Sequence, residues 1–290
     1  MKYALMSDQR GTHSVERMAE VLGVARSGYY AWAQGEESSR SLEEKKLVAE
    51  IQQIQGEVNH RYGSPRMTEQ LRRRGRKVGH NRVARIMREK ELGARRKRRF
   101  VLTTRSEEGQ KVAENLLDRN FEAAAADRVW VSDITYVATA EGWMYLCIVL
   151  DLYSRRVVGW SLSSFVDTEL VLAAVAMAVI RRRPPRGLMF HSDRGVQYTS
   201  GQFRKIATGY GFIQSMSRRG DCWDNACAET FFKTLRAELI RWRIYRSRED
   251  ARRAVFEYVE VFYNRKRLHS YLGYLTPTEY EELGRLRSTS

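Results

Sequence analysis

The stretch RVWVSDITYVAT, residues 128–139, decides the fold. Its residues alternate and are rich in β-branched and aromatic types, the pattern of a strand with one face turned to a core. A period of two puts Asp133 on the same face as Val129, Val131, Thr135 and Val137. A carboxylate placed mid-strand among valines is costly unless something neutralises it. The residues that follow extend the sheet. Glu141-Gly142 reads as a turn, WMYLCIVLDLYS (143–154) as a second strand and RRVVGWSLS (155–163) as a third. Next come an apolar helix over 168–182, a Pro-Pro stop and the strand GLMFHS (187–192). A helix over 199–208, the strand FIQSMS (212–217) and a long helical stretch from 224 complete the series. The order β-β-β-α-β-α-β-α predicts an α/β fold, with a hairpin-built antiparallel start joined to a parallel remainder in one mixed sheet.

Two further acids are candidates to meet Asp133. Asp193 follows directly on the fourth strand, in HSDRGVQYTS (191–200). Glu229 lies inside the helix DNACAETFFKTLRAEL (224–239), whose Phe231, Leu235 and Leu239 read as the inward face. Glu229, Lys233 and Arg236 stand at i, i+4 and i+7 on that helix, so they share a face. Each has a plainer explanation. A strand-end Asp is commonly a turn or cap residue, and a Glu four residues before a Lys is commonly a surface pair. Asp151, Asp167, Asp221 and Asp224 are equally eligible by composition, and Asp224 reads as a natural N-cap for the helix. Residue types alone leave the choice open.

The first hundred residues read as helical. SVERMAEVLGVARSGYYAW (14–32) offers Ser14 as a cap, apolar Met18, Val21 and Leu22, then Gly23 as a turn before Tyr29, Tyr30 and Trp32. That is a helix-turn-helix outline. The helix over 41–58 spaces Leu47, Ile51, Ile54 and Val58 for packing on neighbours. In residues 64–92, Ser64-Pro65 starts a helix, Gly75 and Gly79 bound a turn, and a second helix begins near Asn81 with Val83, Ile86 and Met87 inward. Asn81, Arg85 and Arg88, beside Arg82, occupy the other side, the residue types that read adenine and guanine in a major groove. The adjoining arm Arg95, Arg96, Lys97, Arg98, Arg99 suits phosphate contacts.

Charge supports the same partner. The 290-residue chain has a formal charge of +16, and residues 66–105 alone hold sixteen Lys/Arg against three Glu. A field concentrated in this way is the footprint of a polyanion, with DNA favoured over an anionic membrane because no amphipathic aromatic face accompanies it. No apolar run reaches the length of a membrane span, and the N-terminus lacks a signal-peptide pattern. Cys147, Cys222 and Cys227 form no C-x-x-C pair, which argues against a disulfide framework or a Cys-rich zinc site. A soluble, cytoplasmic and nucleoid-associated bacterial protein is expected.

Four ordered blocks carry a resemblance: W-x-x-D-I-T-Y, H-S-D-R-G-x-Q-Y-T-S, D-N-A-x-A-E-x-F-F-K-x-L and Y-N-x-x-R-x-H-x-x-L-x-x-x-x-P. Together with M-x-x-V-L-G-V-x-R-S-G-Y-Y-x-W near the N-terminus and R-Y-G-x-x-R at 61–66, they resemble the OrfB transposases of insertion sequence family three, relatives of the retroviral integrases. The resemblance covers nearly the whole chain. It implies a ribonuclease H-like core after an all-α helix-turn-helix region, divided as 1–63 helical with the helix-turn-helix-like segment, 64–106 basic helix-turn-helix and arm, 107–127 linker with a short helix, 128–240 catalytic core and 241–290 helical extension. It also implies the catalytic and metal-binding acids Asp133, Asp193 and Glu229, with the family's spacing of 35 residues between the last two. Two Mg²⁺ ions are implied, Mn²⁺ substituting, with Asp133 bridging both, Asp193 on one and Glu229 on the other. Lys233 and Arg236 would hold substrate phosphates. No counterpart of the integrases' zinc-binding His/Cys module is present. The implied partners are terminal-repeat and target DNA, a second copy of the chain, and an upstream helix-turn-helix protein to which many members are fused by frameshifting. The chain begins with its own Met, so it is expected to be the downstream half of such a pair. Two other readings stay open here: a DNA-binding regulator of transposition, and a structure-selective nuclease that cuts without joining.

Overall fold

The computed structural model describes residues 1–34, 39–94, 112–218 and 222–289, and divides the chain into two compact units, Met1–Ala94 and Arg95–Ser290. The first is all helical: α1 (Lys2–Asp8), α2 (Val15–Leu22), α3 (Arg26–Ala33), α4 (Ser39–Glu57), α5 (Ser64–Arg73) and α6 (His80–Glu89). Ser14 caps α2 by accepting the Arg17 N–H at 3.4 Å, and Gly23 ends it at φ +61°, a conformation that a side chain resists. Met6, Met18, Ala19 and Tyr29 form a small core. Val21, apolar like Met18 and Leu22, is 78% exposed. The short helix turns its Met18–Ala19–Leu22 stripe to α1, and Val21 falls outside that stripe. Leu47, Ile51, Ile54 and Val58 are all buried, as are Val83, Ile86 and Met87.

The second unit is built on one five-stranded sheet of order β3-β2-β1-β4-β5, from β1 (Val129–Thr139), β2 (Gly142–Asp151), β3 (Val157–Ser163), β4 (Met189–Ser192) and β5 (Ile213–Met216). β1, β2 and β3 pair antiparallel, whereas β1–β4 and β4–β5 are parallel. α7 (Thr168–Arg182) makes the crossover from β3 to β4, capped by the Asp167 carboxylate, which accepts the Leu170 N–H at 2.9 Å. α8 (Val196–Thr199) and α9 (Gly201–Tyr210) join β4 to β5. One core holds Trp130, Cys147, Val149, Val171, Val175, Phe190, Tyr198 and Phe203 between the sheet and these helices.

β3 approaches α7 so closely that only glycine fits at 159. A Cβ there would collide with the Ala174 carbonyl and lie 2.8 Å from the Ala178 Cβ. Gly159→Ala is therefore expected to lower stability by about 3 kcal/mol, the upper part of the overpacking range, measurable as a fall in the urea midpoint at unchanged slope.

Of residues 101–127, read as a linker with a short helix, 112–127 contain no helix and 101–111 lie outside the described residues. Hydrogen bonding to the sheet edge takes the place of intrahelical bonds. The Leu116 and Leu117 N–H groups donate to the Ser215 Oγ, the Met216 N–H donates to the Glu114 carbonyl, and Leu117 is buried. The segment thus covers the β5 edge.

α10 (Ala226–Glu238) is followed by α11 (Arg248–Phe256), a π-helical turn over Glu257–Tyr263 and α12 (Pro277–Thr289), all in the same unit as the sheet. Leu239, expected inward, is half-buried because α10 ends before it, whereas Phe231 and Leu235 are buried as expected. The Y-N-x-x-R block is a clasp. Asn264 after the π turn pairs with both backbone groups of Val157, donating to its carbonyl at 2.9 Å and accepting its N–H at 3.0 Å. Arg267, 5% exposed, grips the Glu238 carboxylate at the end of α10 through Nε and Nη2. α12 is tied down by Glu281, which accepts from Ser154 Oγ, Arg156 Nη1 and Arg182 Nη1, each at 2.8 Å.

Candidate active site

The pairing of β1 with β4 ends at Val131↔His191. Two residues further along each strand stand Asp133 and Asp193, so parallel register puts both at the same level, where the two strands part. Asp133 Oδ1 accepts the Ile134 N–H at 2.7 Å, and Asp193 Oδ1 accepts the Gly195 N–H at 3.0 Å in a tight turn ahead of α8. Asp133 as a residue keeps some solvent contact, but its carboxyl is crowded by protein. That burial, then the neighbouring Asp193 charge, pushes it up to about 8; Glu229 adds to the rise, and the Ile134 N–H and Arg236 offset part of it. Burial also raises Asp193, partly offset by the Gly195 N–H.

α10 brings Glu229 within electrostatic reach of Asp133, but its carboxylate is turned to Lys233 Nζ at 3.4 Å. Lys233 is exposed. Arg236 bonds the Thr135 Oγ1 through Nη2 at 2.8 Å and lies over the Tyr136 ring, so it fastens α10 to β1 two residues from Asp133. Among the described residues, no group of three or more Asp, Glu, His or Cys side chains is arranged to hold a metal ion. The donor set nonetheless suits one. Burial first, then the Asp193 and Glu229 charges, favour a proton on Asp133 that a cation would displace, and a set without nitrogen or sulfur ligands fits a hard, oxygen-seeking one.

Asp224 departs from its expected place as N-cap: Asn225 occupies that position, and neither side chain caps the helix. Asp224 is buried and receives Arg218 Nη2 at 2.9 Å, Arg119 Nε at 3.1 Å and Asn115 Nδ2 at 2.8 Å. The Arg218 side chain first, then its backbone N–H and Arg119, overcome the cost of burial and hold the carboxyl far below the usual range. It anchors the turn from which α10 departs. Its partners lie 6, 105 and 109 residues away, so no local pattern reveals them. Asn225 then donates to the Ser132 carbonyl at 3.2 Å, tying that turn to the residue before Asp133.

His191 was unassigned by sequence reasoning. It is fully buried, with Nδ1 2.8 Å from Ser215 Oγ and Nε2 3.1 Å from Ser217 Oγ, and burial pushes its imidazole down to about 4. The sign follows from a folded value below the unfolded one near 6.5. Its contribution is complete above about pH 6.5 and is lost as pH falls toward 4, about 3 kcal/mol in all. The urea midpoint of the wild type is expected to fall more steeply across that window than that of His191→Gln; parallel curves would remove His191 as the cause.

In the helical unit, Asn81 and Arg88 are exposed and Arg82 is half-buried on α6. Arg85 is engaged within the unit, bonding Glu44 of α4 and Glu89, each at 2.8 Å. Arg76 and Arg74 are likewise held by Glu50 and Glu57. A recess of about 660 Å³ lined by Ser39, Arg40, Glu43, Arg82 and Arg85 lies between α4 and α6. Arg95, Arg96, Lys97, Arg98 and Arg99 lie outside the described residues. No helix among the described residues is long and apolar enough to cross a membrane.

Residues 123–222 and 210–277 match integrase core domain families, and residues 41–100 match an HTH-like domain family. The chain is 39% identical over 283 residues to "Transposase InsF for insertion sequence IS3A" of Escherichia coli K12, covering 97% of this chain and 98% of that protein. It is 41% identical to "Insertion element IS600 uncharacterized 31 kDa protein" of Shigella sonnei, covering 91% of this chain and 97% of the other. Among solved structures, the HTLV-2 integrase catalytic core domain in complex with magnesium aligns with 55% of this chain and 99% of that one, at a TM-score of 0.42 and 15% identity.

Proposed function

The chain belongs to the IS3 family of insertion-sequence transposases, with an integrase core and an HTH-like DNA-binding region, and we propose that it cuts and joins DNA strands at the ends of its element through Asp133, Asp193 and Glu229. The observation that carries the site is the meeting of Asp133 and Asp193 at the parting of β1 and β4, with Glu229 electrostatically coupled from α10. The fold, with its parallel β1–β4 pair in a ribonuclease H-like mixed sheet, supports the same reading.

A pair of Mg²⁺ ions, Mn²⁺ substituting, held by these three carboxylates would lower the pKa of the attacking hydroxyl and neutralise charge on the phosphate. The chain's own residues do the rest. Asp133 gives up the proton that burial favours on it. Glu229 leaves Lys233 by a change of rotamer and turns toward the two aspartates, which frees Lys233 to contact a phosphate. Arg236, already bonded to Thr135, sets the distance between helix and strand. Hydrolysis of the element's end first frees a 3′-hydroxyl. That oxygen then attacks a second phosphodiester, forming one P–O bond and releasing one 3′-oxygen, so joining needs no outside energy source.

Asn81, Arg82 and Arg88 on α6, with the arm Arg95 to Arg99, are proposed to hold the terminal repeat. Arg85, bound to Glu44 and Glu89, is proposed to stiffen α6. Two DNA ends must be held together, so a dimer or larger assembly is proposed, with the upstream helix-turn-helix protein as a fusion partner and the bacterial nucleoid as the place of action. The test is Mg²⁺-dependent nicking and joining of DNA carrying the flanking repeats. A wild-type chain that binds this DNA but neither nicks nor joins it, with the upstream frame supplied, would reject the proposal.

A further inference from the structure

Parallel sheets present ligands at the carboxyl ends of their strands, and here that end carries more than the carboxylates. The loop Ser164–Asp167 leaves β3 at the same end of the sheet, because β3 runs antiparallel to β2 and β2 antiparallel to β1. At its tip Phe165 is 70% exposed and Val166 45%. The loop is nevertheless fixed. The Phe165 N–H donates to Ser163 Oγ at 3.1 Å, Asp167 caps α7, and Gln197 Nε2 donates to the Val166 carbonyl at 2.9 Å. Gln197 belongs to α8, directly after the Asp193 turn, so the tip is tied to the loop that carries a proposed catalytic acid.

Register gives the distance. Ser163 pairs with Tyr145, and Tyr145 with Tyr136, three residues beyond Asp133. Three residues along a strand and two strands across put Ser163, at the base of the loop, roughly 14 Å from Asp133, about four base-pair rises, and Phe165 lies two residues further along the chain. Beside the tip lies a recess of about 440 Å³ lined in part by Ser163, Ser164, Ser247, Arg248 and Arg252. Glu141 and Glu249 also line it, Glu141 taking the Arg248 N–H at 2.8 Å and Glu249 standing 4.0 Å from Arg252.

An exposed aromatic ring on a loop whose backbone is held, beside arginines and hydroxyls, is the combination that receives a base on its face and the backbone phosphate on its flank. We propose that Phe165 stacks on a nucleobase of the DNA end, a few nucleotides from the scissile phosphate, and holds that end open for the carboxylates. This rests on the transposase reading.

The test uses the full chain carrying Glu229→Gln, so that DNA is bound without being cut. The probe is a duplex with the terminal repeat that flanks the gene and 2-aminopurine placed in turn at each position near the cleaved end. One position is expected to change its fluorescence on binding. Phe165→Ala should abolish that signal and weaken binding about ten-fold, Phe165→Leu should do the same, and Phe165→Trp should restore both. A signal unchanged in Phe165→Ala, or restored equally by Leu, overturns the stacking assignment while DNA binding stands. Failure of the unmutated chain to bind the duplex overturns the inference together with the transposase reading.

Discussion

Glu229→Gln and Asp133→Asn are each expected to reduce Mg²⁺-dependent strand nicking and joining by at least about a thousand-fold, a loss of roughly 4 kcal/mol or more in transition-state stabilisation, while retention of terminal-repeat DNA changes little. The two substitutions act differently. Asp133→Asn removes a carboxyl that burial and its acidic neighbours push up to about 8, so the apo protein should become more stable, not less, where that carboxyl is ionised. A folded value raised above the unfolded one of about 4 means that its contribution is intact below pH 4 and lost as pH rises through 8. Above pH 8 the Asn variant should therefore unfold at higher urea than the wild type. Glu229 is partly exposed and paired with exposed Lys233, so Glu229→Gln should leave apo stability within a few tenths of a kcal/mol. Loss of joining with stability moving in these separate directions would distinguish a chemical role from misfolding. Residual Mg²⁺-dependent joining by either variant at a tenth of the wild-type rate would reject that residue as a member of the site.

The second large effect is structural. Glu281→Gln should cost about 3–5 kcal/mol, the range found when one partner of a buried ion pair is removed. The Glu281 side chain is 1% exposed, and its carboxylate neutralises Arg156 and Arg182 while also accepting from Ser154. Burial alone would raise that carboxyl, but Arg182, Arg156 and Ser154 together hold it below its ordinary value. Gln keeps the shape but leaves Arg156 without its carboxylate and Arg182 with that of Asp127 alone, so for a unit of this size the melting temperature should fall by about 10 °C. Replacing Arg156 by Met in the same chain should recover part of the loss, because Arg156 is the guanidinium whose ion pair is with Glu281, whereas Arg182 keeps Asp127 at 2.8 Å. An unchanged melting temperature in Glu281→Gln would mean that α12 does not support the catalytic unit.

What could be read in advance follows the range of the interactions. Strand alternation and turn chemistry are local, so β1 to β5 and the mixed sheet were legible within a few residues of their ends. Asp133 was legible because a charge interrupts an apolar strand face. Asp193 and Glu229 needed the family spacing, since a strand-end Asp and a helical Glu beside Lys have commoner uses. The long-range pairs stayed hidden. Nothing near Asp224 announces Arg119, and nothing near Glu281 announces Arg182, because each partner comes from another element. Val21 shows that apolar character alone does not fix burial: an eight-residue helix has one narrow buried stripe, and an apolar side chain beside it costs little to leave in water.

The clasp of Asn264 and Arg267 has a genetic consequence. Val157 of β3 and Glu238 of the helix that carries Glu229 are both held by residues encoded after the codons of all three acids. A copy of the element cut between the codons of Glu229 and Asn264 therefore does not encode a smaller enzyme. It encodes a sheet and a catalytic helix without their fastening. Decay of old copies should be abrupt, with truncations that spare every codon of the acidic residues silencing the element as fully as loss of those codons would.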